Sequence, residues 1–170
     1  MAKPSDLVVI ATLVAGVGIA AAIDLRTRRV PNLLNAALAA LGLAFAASGV
    51  SALSVWMSLA GLVLGLALML PGHLFGATGA GDVKLFAAIG TLVGPAHIVP
   101  AFIFTALSGG VMALAFAASR GRLQRTLGQT AALVASGGST FADIKAPVEN
   151  NRFPYAPAIA VGCVIAAFGL

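Results

Sequence analysis

Residues 53–70 read LSVWMSLAGLVLGLALML, an apolar run with no charged position. Roughly 20 helical residues cross the hydrocarbon core of a bilayer, so a run of this length and composition is a candidate transmembrane helix. Similar runs recur on both sides of it, at about Leu7 to Ile23, Leu33 to Val50, Val83 to Val93, Ile98 to Ala118 and Ala156 to Leu170. A chain of 170 residues that is 60% hydrophobic and 9% charged has too much apolar surface for a soluble domain to hide. The expected architecture is all-α, a polytopic membrane protein with about six transmembrane helices, forming one transmembrane domain over residues 1–170. The run Val83 to Val93 stops early at Gly94-Pro95, so it is tilted, half-membrane or continuous with the run after it. Gly61-x-x-x-Gly65 is a pattern that lets two helices approach closely, and packing of neighbouring helices is the expected use of it, with a groove for a substrate helix as the alternative.

The net charge of +5 comes from short clusters between the apolar runs. Arg26, Arg28 and Arg29 form one cluster; Arg120, Arg122, Arg125, Lys145 and Arg152 lie in the longest polar stretch. Without aromatic interleaving or a basic helical stripe they are topology signals, and no nucleic-acid partner is expected. The positive-inside rule puts both clusters on the cytoplasmic side and both termini outside. The same rule brings the segments around Asp24 and from Gly72 to Asp82 to the cytoplasmic face. Leu127 to Ala135 is expected along the interface and Ser136 to Asn151 in a polar loop. The first helix is expected to be retained, because cleaving it as a signal peptide would imply export of Arg26 to Arg29.

Asp6, Asp143 and Glu149 fall in polar segments, where solvation accounts for them, but Asp24 and Asp82 abut membrane runs. A carboxylate there is costly and is by default a functional candidate. Asp24 follows a helix C-terminus, whose partial negative charge disfavours it; pairing with Arg26, Arg28 or Arg29 is its plain alternative. Asp82 ends Gly79-Ala80-Gly81-Asp82, and its plain alternative is a helix N-cap, although the glycines also permit a tight turn and close backbone approach. If the two carboxylates meet, repulsion and desolvation leave one protonated and one ionised near neutral pH. The ionised member then takes a proton from water attacking a peptide carbonyl, and the protonated member polarises the carbonyl oxygen and assists departure of the nitrogen. Other schemes lack parts: His73 and His97 are isolated, Cys163 stands alone in an apolar run, and there is no His-Glu-x-x-His, Gly-x-Ser-x-Gly or nucleotide-binding loop. No metal or other cofactor is therefore expected.

Gly79-Ala80-Gly81-Asp82-Val83-Lys84 resembles the Gly-x-Gly-Asp-x-Lys motif of the prepilin peptidase (type IV leader peptidase) family. Asp24 followed by Val30-Pro31-Asn32 resembles that family's first aspartate motif, and Phe153-Pro154-Tyr155-Ala156-Pro157 is similar to its Pro-aromatic-x-Pro segment. The resemblance implies an aspartic endopeptidase with Asp24 and Asp82 catalytic, Gly79 and Gly81 shaping the active-site loop beside Lys84, and Pro31 and Asn32 in support. The implied partner is a prepilin or pseudopilin, its short basic leader cut at the cytoplasmic face of the bacterial inner membrane, just before an apolar helix. Larger members carry a cysteine-containing cytoplasmic segment and methylate the new N-terminus. This chain shows no such segment, so peptidase without methyltransferase activity is expected, in a compact form resembling the variants that serve tight-adherence (Flp-type) pili. The rival reading is a small proton- or ion-coupled membrane transporter, in which paired carboxylates bind ions. Against it, both aspartates map to a membrane edge and the two halves show no repeat.

Overall fold

The computed structural model describes residues 4–76, 78–119 and 155–168. Chain contacts divide it into a larger unit, Met1–Gly109 with Pro154–Leu170, and a second unit, Gly110–Phe153. The helices are α1 (Pro4–Thr27), α2 (Asn32–Ser48), α3 (Val55–Leu74), α4 (Ala80–Ser119) and α5 (Ala156–Phe168), with no strand among the described residues. Of the second unit only the end of α4, up to Ser119, is described. The expected interfacial segment Leu127 to Ala135, the loop Ser136 to Asn151 and the basic residues from Arg120 to Arg152 lie outside the described residues.

Helix boundaries depart from the apolar runs wherever the backbone finds partners beyond them. The first helix continues a turn past Ile23, because the Arg28 N–H donates to the Asp24 carbonyl at 2.7 Å and the Thr27 hydroxyl to that of Ile23 at 2.9 Å. Arg26 in this last turn suits the negative end of the helix dipole. Asp24 is thus within α1, not after it. Pro31, with φ −64° and ψ 136°, starts α2 as an extended residue, and its carbonyl accepts the Asn35 N–H at 3.3 Å. The Ser54 hydroxyl caps α3 by accepting the Met57 N–H at 3.3 Å. This helix runs past Leu70 through Pro71, whose carbonyl accepts the Phe75 N–H at 3.0 Å.

The two expected runs Val83 to Val93 and Ile98 to Ala118 are joined in α4, broken at Gly94. Gly94 has φ 72° and ψ 177°, a conformation open in practice only to glycine, and Pro95 after it also disfavours a helical residue there. Along an unbroken helix Phe86 and Phe102 would stand about 24 Å apart; their ring centroids are 6.1 Å apart, edge to face. The run therefore folds back at Gly94 into two arms. The first arm, from Ala80 to Gly94, is roughly 20 Å long, shorter than the ~30 Å hydrocarbon core.

Small residues let α3 and the first arm touch. Gly61 and Gly90 face each other so closely that a Cβ on either would overlap the other's carbonyl oxygen, and a Cβ on Gly65 would stand 2.9 Å from the Phe86 carbonyl oxygen. The buried Ser58 hydroxyl completes the seam by donating to the Thr91 carbonyl at 2.7 Å. Gly61-x-x-x-Gly65 is thus used for packing within the chain, not as a free groove. Helix α1 packs against α2 and α5, and α2 against α3. The second arm is fixed to α5 where Ser108 donates to the Ala158 carbonyl at 2.9 Å.

The interior holds Leu13, Phe86, Ile89 and Ile159 together with the polar Asp24, Asn35, Ser58, Asp82 and Thr105, whereas Trp56, Val63, Ile103 and Leu107 are exposed. An apolar outer surface around a partly polar core is what a lipid solvent requires. Asp6–Thr27, Val55–Leu74 and Ala80–Ala115 are long and apolar enough to cross a membrane; Asn32–Ser48 and Ala156–Ala167 are apolar but shorter. Because α4 folds back, Ala80–Ala115 is a pair of arms and not one straight span.

Candidate active site

Asp24 is buried at the end of α1, and its partners come from the far end of the chain. The Ala156 N–H donates to Asp24 Oδ2 at 3.1 Å, with the Tyr155 amide also near this carboxylate. These are amides of the first turn of α5, where a helix has unpaired donors and partial positive charge. The cost of a carboxylate at the C-terminal end of α1 is thus offset by the N-terminal end of α5. Arg28 is within electrostatic reach, a weaker influence than the amides.

Asp82 lies one turn inside α4, so it is not the N-cap. Gly79 occupies that position, and Asp82 reaches back so that its Oδ2 accepts the Gly79 N–H at 3.0 Å, one half of a capping box. A Cβ on Gly79 would lie 2.9 Å from that same oxygen. Gly81 lets α4 approach the turn before α2: a Cβ there would stand 3.2 Å from the Val30 carbonyl oxygen and 3.3 Å from the Val30 Cβ. Neither Gly79 nor Gly81 has a positive φ, so space and not backbone freedom is what they supply.

Two side-chain bonds tie these segments together. Lys84 Nζ donates to Asn32 Oδ1 at 3.1 Å in an exposed contact, and the buried Asn35 Nδ2 donates to the Gly81 carbonyl at 3.1 Å. Pro31 starts the helix that presents both asparagines. Asp24 and Asp82 are brought close enough for their charges to act on one another. Tyr155, whose backbone serves Asp24, also lies within the reach of Asp82's charge: burial first, then that charge, push its phenol above the ordinary value, keeping it neutral. Its ring rests on Gly109, where a Cβ would be 2.9 Å from Cε2.

The histidines stand apart from this cluster. His73 Nδ1 is 3.0 Å from the Thr78 carbonyl oxygen, and His97 is exposed beyond the Gly94 break. Cys163 is buried in α5. Among the described residues no group of His, Cys, Asp and Glu is placed to hold a metal ion. Asn35 and the first amides of α5 are site elements that the reading of carboxylates passed over. A lone asparagine inside the run Leu33 to Val50 is a signal of the same kind as Asp24 and Asp82, a polar group where it is costly.

Buried carboxylates among long apolar helices point to the class of membrane proteins. The chain belongs to the type IV leader peptidase family, whose sequence model matches residues 11–114, a stretch that contains Asp24, Asn35, Asp82 and Lys84. No curated protein and no solved structure matches it. Family and long apolar helices together make it an integral-membrane peptidase of the leader peptidase type.

Proposed function

We propose that the chain is an aspartic endopeptidase that removes the leader from prepilin-like proteins at the cytoplasmic face of the membrane, with Asp24 and Asp82 as its acid–base pair. The observation that supports this reading is that two buried carboxylates, one at the end of α1 and one at the start of α4, lie within electrostatic reach of each other. Two such groups share a proton near neutral pH, and the shared proton belongs to the pair and not to either residue. The ionised carboxylate accepts a proton as water attacks the peptide carbonyl carbon. Its protonated partner donates a hydrogen bond to the carbonyl oxygen; the tetrahedral intermediate then collapses with cleavage of the C–N bond and proton transfer to the departing nitrogen. Gly79 and Gly81 shape the Asp82 turn, while Pro31, Asn32 and Lys84 hold it against the start of α2. The exposed Arg26, Arg28 and Arg29 at this end of α1 support a cytoplasmic orientation. The two arms of α4, with α1, α2, α3 and α5, supply the helices of a six-crossing bundle.

The test is cleavage of a prepilin-like protein by the purified full-length chain in lipid vesicles, with the product's N-terminus determined. One cut between the basic leader and the apolar helix is expected. The dependence of kcat/KM on pH should be bell-shaped, falling on the acid side as the pair takes up its second proton and on the alkaline side as it loses its last. Failure to cut any prepilin-like substrate, or cutting with a flat pH profile, contradicts the proposal.

A further inference from the structure

We propose that Asn35 is a positioning residue that sets the separation of the two carboxylates; the inference rests on the Asp24–Asp82 reading above. Asn35 is 4% exposed and sits in the first turn of α2. Its Nδ2 donates to the carbonyl of Gly81, the residue before Asp82, while its buried Oδ1 has no hydrogen-bond partner among the described residues. A buried amide with half of its capacity unused is a poor way to fill space, because leucine would bury apolar surface there and strand no acceptor. The amide cannot turn over, since Oδ1 would then face the Gly81 carbonyl oxygen, acceptor against acceptor.

The bond closes a loop between the two segments that hold the carboxylates. Asp24 lies in the last turn of α1, and the chain runs from it through Arg28, Val30 and Pro31 directly into α2 and Asn35. On the other side Gly81 precedes Asp82 in the first turn of α4. Two other contacts described between these segments do not do the same work. Contact between Gly81 and Val30 limits how near they come but has no direction, and the Lys84–Asn32 bond is exposed, where water competes with it. Asn35, itself buried, supplies a part-buried, directional tie across this junction, better shielded from water than the Lys84–Asn32 bond. It is not a catalytic residue; it acts through the placement of Asp82.

The experiment compares full-length wild type, Asn35→Leu, Asn35→Gln and Asp82→Asn in vesicles, measuring the thermal midpoint, kcat, KM and the pH profile with a prepilin-like substrate. Asn35→Leu is expected to keep or raise the midpoint while kcat falls about 10²-fold with KM little changed, the scale of loss from a small misplacement of a catalytic group. Its pH profile should narrow, because carboxylates held further apart couple less and their two titration steps draw together. Arg26, Arg28, Arg29, Lys84 and Tyr155 are the other titratable groups on the segments that meet here, and the substitution alters none of them. Asn35→Gln, which keeps the donor, should recover part of the lost kcat. Wild-type kcat in Asn35→Leu, or a loss of kcat that only follows a lowered midpoint, overturns the positioning role. Should the leucine variant not accumulate, Asn35→Ala is read by the same criteria. Asp82→Asn separates the two layers: if it cleaves as well as wild type, the acid–base reading fails, and if it is inactive, a fully active Asn35→Leu overturns the positioning role alone.

Discussion

Asp82→Asn is expected to lower kcat/KM for leader cleavage by about 10²–10⁴-fold, the usual contribution of a positioned acid or base, while the protein accumulates in membranes at its normal level. The prediction is sharp because asparagine keeps the structural half of the role. Its side-chain oxygen still accepts the Gly79 N–H that Asp82 Oδ2 accepts at 3.0 Å, so the start of α4 stays capped. Asp24→Asn is expected to behave alike, since an amide oxygen can still receive the Ala156 N–H donated to Oδ2 at 3.1 Å. Both variants lose only the ability to carry a proton. Alanine is the less informative substitution, because it removes the cap or the tie to α5 together with the chemistry. Kinetics on purified protein, with membrane levels measured by immunoblot, checks this; normal cleavage by either asparagine variant contradicts the assignment.

Gly61→Leu is expected to act through the fold, lowering the amount of protein in the membrane and its thermal midpoint together. A side chain at Gly61 runs into the Gly90 carbonyl, which belongs to rigid helical backbone that cannot rotate out of the way. The helices must separate, breaking the Ser58–Thr91 bond of 2.7 Å, and overpacking of this kind costs about 1–3 kcal/mol or more. Cleavage should fall too, since the first arm of α4 carries Asp82. Gly18→Ala is the control: nothing lies within 4 Å of a Cβ there, and alanine favours the helix. Thermal unfolding in detergent reports both variants. Equal midpoints would mean that α3 and α4 do not meet at Gly61.

The sequence was most readable where a single property decides the structure. Uncharged runs such as residues 53–70 become helices because a membrane leaves no other way to satisfy the backbone. The break at Gly94-Pro95 was visible in composition, but that α4 folds back so that Phe86 meets Phe102 follows from the glycine's dihedral angles, which composition does not give. Asp24 and Asp82 were found by their cost. Their local roles differ from the apolar pattern, because helix ends depend on bonds beyond the apolar run: α1 continues through Asp24, and Gly79 takes the cap expected of Asp82. The offset for Asp24 comes from Ala156, far along the chain, so no local rule could supply it. Asn35 is legible by the same cost rule, which holds for uncharged polar residues inside an apolar run as well.

The most direct test of a working pair is one kinetic series: cleavage rates of wild type, Asp24→Asn, Asp82→Asn and the double variant, on one substrate at one pH. Groups that serve the same proton-transfer step are strongly non-additive. The double variant is expected to be no slower than the slower single variant. A double variant slowed by the product of the two single effects, or a single variant as fast as wild type, would show that Asp24 and Asp82 do not work as one acid–base pair.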